Sequence, residues 1–149
     1  MPRITGLDIW LPYIKRVCTL NIYDNIVCAD AKKLPFRDDS FYIVLACEIL
    51  EHLPNEEGIY FLDELERVTN KILIVTTLLG FKYQGDINDN IYEKHISSWQ
   101  KEDLEKRGYL VRIIDTFLLP KTLKLIDKIR RWVFRLPSFP KEIIAIKSF

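Results

Sequence analysis

Two acidic residues stand where predicted strands end, and that placement suits nucleotide binding. Residues 3–8 (RITGLD) predict a strand that ends at Asp8, and residues 25–30 (NIVCAD) predict another that ends at Asp30. A carboxylate after a parallel strand can accept hydrogen bonds from both hydroxyls of a ribose. One at the neighbouring strand end can accept a hydrogen bond from the amino group of an adenine. The alternative for both is structural, because Asp also caps helices and forms turns.

The residues that follow these acids could complete such a site. Ile9 and Trp10 come directly after the first strand and could flank an adenine ring, or they could simply pack in the interior. Ala31 follows the second strand, and its backbone N–H could donate to a ring nitrogen.

A third group of reactive side chains follows the apolar run of residues 41–46 (FYIVLA). Cys47 and Glu48 come next, and Glu51 and His52 lie about one turn further on. Histidine titrates near neutral pH, so we take His52 as a candidate general base or substrate contact. The alternative is that it caps or packs a short helix. One Cys and one His do not make a zinc site, so we expect no metal.

The second candidate base or substrate contact is His95. It follows a polar stretch, residues 80–94, which is rich in Asn, Asp and Tyr and also contains Tyr92 and Glu93. We expect an irregular loop there. Such a loop can close over a substrate, and it can equally be a solvated connection.

Strands alternate with helices along most of the chain, which is the pattern of parallel βαβ units. The predicted strands are residues 3–8, 25–30, 41–46, 71–77, 109–117 and 142–149. The predicted helices are residues 11–20, a helix capped by Asn55 and running through Val68, residues 97–107 with a Ser97/Gln100 capping box, and about residues 121–134. The sequence therefore predicts one domain with an α/β, Rossmann-like, doubly wound and mostly parallel sheet, with helices on both faces.

The last predicted helix is basic on one face. That face carries Lys121, Lys124, Lys128, Arg131 and Arg135, and apolar residues fall on the other. Such a helix can lie on a membrane or meet a polyanion, or it can cover a sheet and keep its outer face solvated.

Composition narrows the class of protein. The chain has 149 residues, a net charge of +1 and three cysteines without C-x-x-C spacing. Near-balanced charge gives no global attraction to nucleic acid, and an odd number of scattered cysteines suits a reducing compartment. The amino terminus lacks a signal-peptide pattern, so we expect a cytoplasmic protein.

Several motifs in a fixed order give the chain a resemblance to a known family. They are GLDIW, CADAKKLPFRDDSFYIVLACEILEHL, LDELERV, ILIVTT, EKHISSW and EDLEKRGY. In this order and spacing, over nearly the whole chain, the sequence resembles class I S-adenosylmethionine-dependent methyltransferases. One departure is Tyr42, where that family usually has an Asp.

The resemblance implies S-adenosylmethionine as cofactor and assigns roles by position. Asp8 matches the acid that binds the ribose hydroxyls, and Ile9 and Trp10 match the pair that flanks adenine. Asp30 and Ala31 match the acid and amide that read adenine. The residues that match the segment beside the methionine end and the substrate are Ala46, Cys47 and Glu48.

The resemblance also implies a first strand, a glycine-rich turn and a first helix ahead of Met1. None of the five glycines of this chain makes a G-x-G. We therefore expect an amino-terminally truncated domain. The missing strand belongs in the middle of the sheet, so the backbone groups of its neighbours need another hydrogen-bonding partner. The chain is either a fragment, or its strand at residues 3–8 closes up beside residues 41–46, or a second copy fills the gap in a homodimer. Of these we expect closing-up or pairing.

The function implied is methyl transfer to an acceptor that the sequence does not identify. The alternative is a non-catalytic scaffold or interaction domain that keeps the fold and has lost the cofactor site. No nucleic-acid signature is present, and peripheral membrane contact through the basic helix is the weakest of the three hypotheses.

Overall fold

The structure is a computed structural model that describes residues 3–87, 89–115 and 141–149. Within them lie strands β1 (Thr5–Asp8), β2 (Asn25–Cys28), β3 (Phe41–Cys47), β4 (Thr69–Leu78), β5 (Leu110–Asp115) and β6 (Lys141–Ser148). The α-helices are α1 (Leu11–Cys18), α2 (Asn55–Val68) and α3 (Lys101–Glu105), and single 3-10 turns span Leu50–His52 and Ile91–Glu93. The predicted α/β fold that lacks its first strand is confirmed.

The strands form two separate sheets. β1 and β2 pair in parallel, with Asp8 opposite Cys28. The second sheet has the order β3-β4-β6-β5, in which β3 and β4 are parallel and β6 is antiparallel to both of its neighbours. The acids and histidines singled out in the sequence lie at or beyond the carboxyl ends of the parallel strands, where such folds bind ligands.

The expectation that β1 closes up beside β3 is wrong. Among the described residues no backbone ladder joins the two sheets, so β1 and β3 each keep one edge without a strand partner. Side chains connect the sheets instead. Leu7 and Ala31 pack against the main core, and the rings of Trp10 and Tyr92 meet edge-on with centroids 6.2 Å apart. Moving β1 against β3 would break these contacts.

Helix α2 forms the layer that covers one face of the larger sheet. Its apolar positions recur at helical spacing, so they fall on one stripe that faces the strands. The stripe consists of Phe61, Leu62, Leu65 and Val68, which are buried with Leu73 and Val75 of β4. This core fixes the strand ends from which the candidate site is built.

The other face of the larger sheet is apolar and open within the described residues. Leu45, Ile74, Ile146 and Leu110 lie opposite one another across the four strands, so their side chains share a face. Leu45 is 64% exposed and Leu110 is 62% exposed. Leu45 belongs to β3, so this apolar face reaches the strand with the open edge.

Two predicted helix starts are wrong by a few residues. The N-cap of α2 is Pro54, and Asn55 is its first helical residue. The capping box of α3 joins Gln100 and Asp103 rather than Ser97 and Gln100. Ser97 is not available as a cap because it is buried and its hydroxyl donates to a distant carbonyl.

The predicted basic helix, with Lys121, Lys124, Lys128, Arg131 and Arg135, lies outside the described residues, as does the end of the fifth predicted strand. In the part of the chain that is described, no helix has the length and apolar character to cross a membrane. Cys18, Cys28 and Cys47 form no disulfide.

Candidate functional site

Asp8 lies at the carboxyl end of β1 with its carboxylate half-buried. Its Oδ1 accepts a hydrogen bond from the backbone N–H of Trp10 at 2.7 Å, which holds the turn into α1. Burial raises the pKa of the Asp8 carboxyl, and the hydrogen bonds from the Trp10 and Ile9 amides lower it in part. The side chain is not the N-cap of α1, because that position is Trp10. Asp8 therefore does not cap α1, which was the structural alternative considered from the sequence.

The polar stretch after β4 reaches this end of β1. Beside the ring contact between Trp10 and Tyr92, the charge of Asp8 acts on the Glu93 carboxyl. Burial raises the pKa of Glu93, the Tyr13 hydroxyl lowers it, and the charge of Asp8 raises it further. Sequence reasoning did not pair Glu93 with Asp8, because they are far apart along the chain.

Asp30 follows β2 and forms the turn that its residue type suggests. Its Oδ1 accepts from the backbone N–H of Lys32 at 2.9 Å, and its Oδ2 lies 3.7 Å from the Lys32 ammonium. That ammonium also donates to Glu57 of α2 at 2.8 Å. Asp30 is thus a turn former in this structure, and its place at the end of the strand next to β1 is the predicted one.

The end of β3 is shaped by an unusual backbone conformation. Ala46 is buried, Cys47 is exposed, and Glu48 has a φ of 54°, in the left-handed region that side-chain-bearing residues avoid. The Glu48 N–H donates to the Thr76 carbonyl at 3.0 Å, and its Oε1 accepts from the Thr76 hydroxyl at 2.5 Å. Residues in this region often mark functional turns.

Glu51 is a buried carboxyl at the ends of β3 and β4. It is 3% exposed, and its Oε2 accepts from the Thr77 hydroxyl at 2.8 Å. A hydrogen bond also links it to the side chain of Glu48. Burial raises the pKa of Glu51 well above its usual value, and the neighbouring charge of Glu48 raises it further.

The two histidines of the chain meet beside Glu51. Their ring centroids lie 4.9 Å apart. The Nδ1 of His52 lies 3.0 Å from the Lys94 carbonyl, and the Nδ1 of His95 lies 2.7 Å from the Lys82 carbonyl. Burial lowers the pKa of both, for His52 to about 4, so both rings are neutral at pH 7.

The loop that carries His95 is fastened to the turn after β3. The backbone N–H groups of Ile96 and Ser97 both donate to the Glu51 carbonyl, at 2.9 and 3.2 Å. The Ser97 hydroxyl and the Trp99 indole N–H donate to the Leu50 carbonyl. This part of the loop is anchored over the strand ends rather than solvated.

The structure therefore gathers the predicted residues into two groups. Asp8, Ile9, Trp10, Asp30 and Ala31 lie at the ends of β1 and β2, and Ala46, Cys47, His52 and His95 lie at or beyond the ends of β3 and β4. The second group also includes Thr77, which the sequence alone did not bring together with the histidines, and Glu51, which the sequence placed beside His52 but not beside His95. The acid-rich E-x-x-E-H pattern of residues 48–52 was the available signal for Glu51.

The amino-terminal part of the chain matches a known family. Residues 2–72 match the model described as a methyltransferase domain. An uncharacterised protein of Methanocaldococcus jannaschii is 27% identical over 122 residues, which are 80% of this chain and 52% of that protein. The chain thus spans about half the length of this curated relative.

Solved structures share the fold. A SAM-dependent methyltransferase from Methanosarcina mazei matches 98% of this chain and 81% of its own, with a TM-score of 0.67 and 14% identity. A Haloferax volcanii protein described as a methyltransferase, solved in complex with the Trm112 methyltransferase activator, matches 97% of this chain and 70% of its own, with a TM-score of 0.60 and 14% identity. At these identities the likeness is one of fold.

Proposed function

We propose that this chain, whose residues 2–72 match a methyltransferase domain and whose fold resembles that of SAM-dependent methyltransferases, binds the adenosine of S-adenosylmethionine at the ends of β1 and β2. The observation that carries the proposal is the position of Asp8. It is a half-buried carboxylate at the carboxyl end of a parallel strand, in register with Cys28 and therefore close to the segment that holds Asp30.

The donor set fits an adenosine. A carboxylate such as that of Asp8 can accept from both hydroxyls of a ribose, and Trp10 offers an aromatic face beside it. Asp30 keeps one oxygen on its own turn and has a second oxygen for the adenine amino group. Burial of Asp8 strengthens any hydrogen bond made there, because the local dielectric constant is lower than that of water.

The chemistry we propose is methyl transfer to an acceptor that lies beyond β3 and β4. When bound, the cofactor supplies a sulfonium methyl group: a bond forms from the acceptor to the methyl carbon, the carbon–sulfur bond breaks, and sulfur keeps the electron pair. The residues of this chain would position the two reactants, with Ala46 and Cys47 bordering the methionine end. His52 and His95 would contact the acceptor or take the proton that it releases.

The alternative is a non-catalytic scaffold with the same fold. Fold does not fix function, and no two glycines of the chain form a G-x-G. Cofactor binding separates the two hypotheses, because a scaffold has no need of an intact adenosine site.

The test is calorimetric titration with S-adenosylhomocysteine. We expect micromolar binding by the unaltered chain and a loss of about tenfold or more in Asp8→Asn, which removes a charged acceptor. The matched control is Asp24→Asn. Asp24 lies at the opposite end of the same strand pair, where its Oδ2 accepts from the Ile4 N–H at 2.7 Å, and its substitution should leave binding unchanged. No binding up to millimolar ligand, or equal binding by Asp8→Asn, would contradict the proposal.

We also propose that a second copy of this chain pairs with the open edge of β3. That edge is without a strand partner among the described residues, and Leu45 beside it is largely exposed. Unpaired strand edges with apolar side chains recruit further strands, because pairing satisfies the backbone groups and buries apolar surface.

A further inference from the structure

Glu51, His52 and His95 bring three metal-ligating groups to one point. One ligand atom from each lies within 4.8 Å of the others. Two imidazole nitrogens and one carboxylate oxygen are the protein ligands of a common type of catalytic zinc site, which leaves a fourth position open. We propose that these three side chains bind one divalent transition-metal ion, and that Zn²⁺ is the ion their donor set suits.

The hydrogen bonds of both histidines set the tautomer that this role needs. A carbonyl oxygen can only accept, so the Nδ1 atoms that face the Lys94 and Lys82 carbonyls must carry the protons. The lone pair of each ring is therefore on Nε2. Metal-binding histidines are usually held in this way, with one ring nitrogen donating to a carbonyl and the other on the metal.

The carboxylate is supported by groups of its own. The Thr77 hydroxyl donates to Glu51 Oε2 at 2.8 Å and fixes the direction of the side chain. The charge of Glu48 also acts on Glu51, so a second acid adds negative potential at the same place. A buried acid and a half-buried acid side by side repel each other when ionised, and a bound cation removes that cost.

The cluster needs only a small adjustment to close on an ion. In a tetrahedral site with bonds of about 2.0 to 2.1 Å, neighbouring ligand atoms lie roughly 3.4 Å apart. Side-chain rotations that move each ligand atom by about 1 Å would bring the observed separations of up to 4.8 Å down to this value. The bonds from Ile96 and Ser97 to the Glu51 carbonyl hold the loop of His95 in place, and partly exposed His52 offers a path for entry.

This inference does not rest on the proposed function. The cluster uses none of the residues assigned to adenosine binding, so metal affinity can be measured without cofactor or acceptor. A metal ion bound through both Nε2 atoms would leave neither histidine able to take a proton, and would keep only their proposed place beside the acceptor. The chain contains only these two histidines, which makes a histidine-dependent signal specific.

The experiment is titration of the metal-free protein with Co²⁺ alone and with Zn²⁺ alone. A background in which Cys18, Cys28 and Cys47 are serine removes the exposed thiols that bind such ions adventitiously. We expect one Co²⁺ per chain, with the visible absorption of a four- or five-coordinate ion, and its displacement by one Zn²⁺. His95→Gln and His52→Gln should each weaken binding by about 10- to 100-fold or more.

Two further variants separate a site from a general effect on the fold. Thr77→Val removes only the bond to Glu51 and should weaken Co²⁺ binding about tenfold. Glu93→Gln removes a neighbouring acid outside the cluster and should leave binding unchanged. Thermal unfolding in the presence of a chelator checks that each variant is folded. If His95→Gln does not fold, the comparison is made with His52→Gln alone. Absence of Co²⁺ bands at millimolar metal, or binding by both histidine variants equal to that of the background, would overturn the proposal.

Discussion

Gly58 of α2 packs directly against the indole ring of Trp99. A Cβ placed on Gly58 would lie 2.4 Å from Cζ2 of Trp99, closer than any carbon–carbon contact allows. Trp99 is buried, and its N–H donates to the Leu50 carbonyl. The absence of a side chain at Gly58 therefore joins α2 to the loop that carries His95.

Gly58→Ala should destabilise the protein although alanine is the better helix former. The gain in helix propensity is about 1 kcal/mol, and overpacking a core against a rigid ring costs about 1 to 3 kcal/mol. We expect a lower free energy of unfolding in urea by about 1 to 2 kcal/mol. Tyr60→Ala, at an exposed position of the same helix, should change it by about 0.5 kcal/mol or less. A stabilised Gly58→Ala would show that the ring can move aside.

Arg67 holds the connection between β2 and β3. Its guanidinium donates to both carboxylate oxygens of Glu64 and to the carbonyls of Leu34 and Phe36. Lysine cannot reproduce this planar fork, so Arg67→Lys should lower the free energy of unfolding by about 2 kcal/mol. It should also speed amide hydrogen exchange at Asp39, whose N–H donates to the Arg67 carbonyl.

The matched control for Arg67→Lys is Arg37→Lys. Arg37 belongs to the connection that Arg67 holds, and it is exposed. The same change there should leave both stability and exchange within error. Equal effects of the two substitutions would mean that the guanidinium bonds of Arg67 contribute nothing specific.

The Glu64 carboxyl predicts a defined pH dependence of stability. Its hydrogen bond from Arg67 is the main reason that its pKa is lowered below 4.5. A lowered pKa in the folded state gives stability that is present above the unfolded pKa and lost as pH falls through the folded one. The difference in free energy of unfolding between the unaltered chain and Glu64→Gln should be largest near pH 7 and shrink below about pH 4. A difference that stays constant from pH 7 to pH 3 would contradict this.

The open edge of β3 predicts self-association. Light scattering of the purified chain should give the mass of a dimer, and Leu45→Lys should give the mass of a monomer, because a charge on the exposed strand opposes edge pairing. Tyr60→Lys replaces an equally exposed apolar residue on α2 and should leave the dimer intact. A monomer at high concentration for the unaltered chain would exclude the second copy as the partner of β3.

Local pattern was enough to locate the strand ends. The apolar run of β3 is short and bounded by turn residues, which favours a strand, and Asp8 and Asp30 come where the runs before them stop. The parallel pairing then follows from the alternation of strands and helices. For this reason the candidate adenosine residues could be named from the sequence.

Long-range contacts decided what the sequence could not. S-x-x-Q at Ser97 is the usual capping-box pattern and Q-x-x-D at Gln100 is not, yet the buried bond from Ser97 to the Leu50 carbonyl leaves the cap to Gln100. The meeting of His52 and His95 depends on the same loop. The pattern of residue types does not predict that the backbone of this loop donates hydrogen bonds to the Glu51 carbonyl. The metal-ligating cluster was therefore not predicted, and no metal was expected from the sequence.

The central claim is that adenosine binds at the carboxyl ends of the parallel strands, and amide chemical-shift mapping tests it most directly. In ¹H–¹⁵N spectra recorded with increasing S-adenosylhomocysteine, we predict saturable shifts at residues 8–10, 30–32 and 46–48, with Thr5 and Ser148 at the far strand ends unmoved. No shifts at millimolar ligand, or shifts confined to those far ends, would contradict the account.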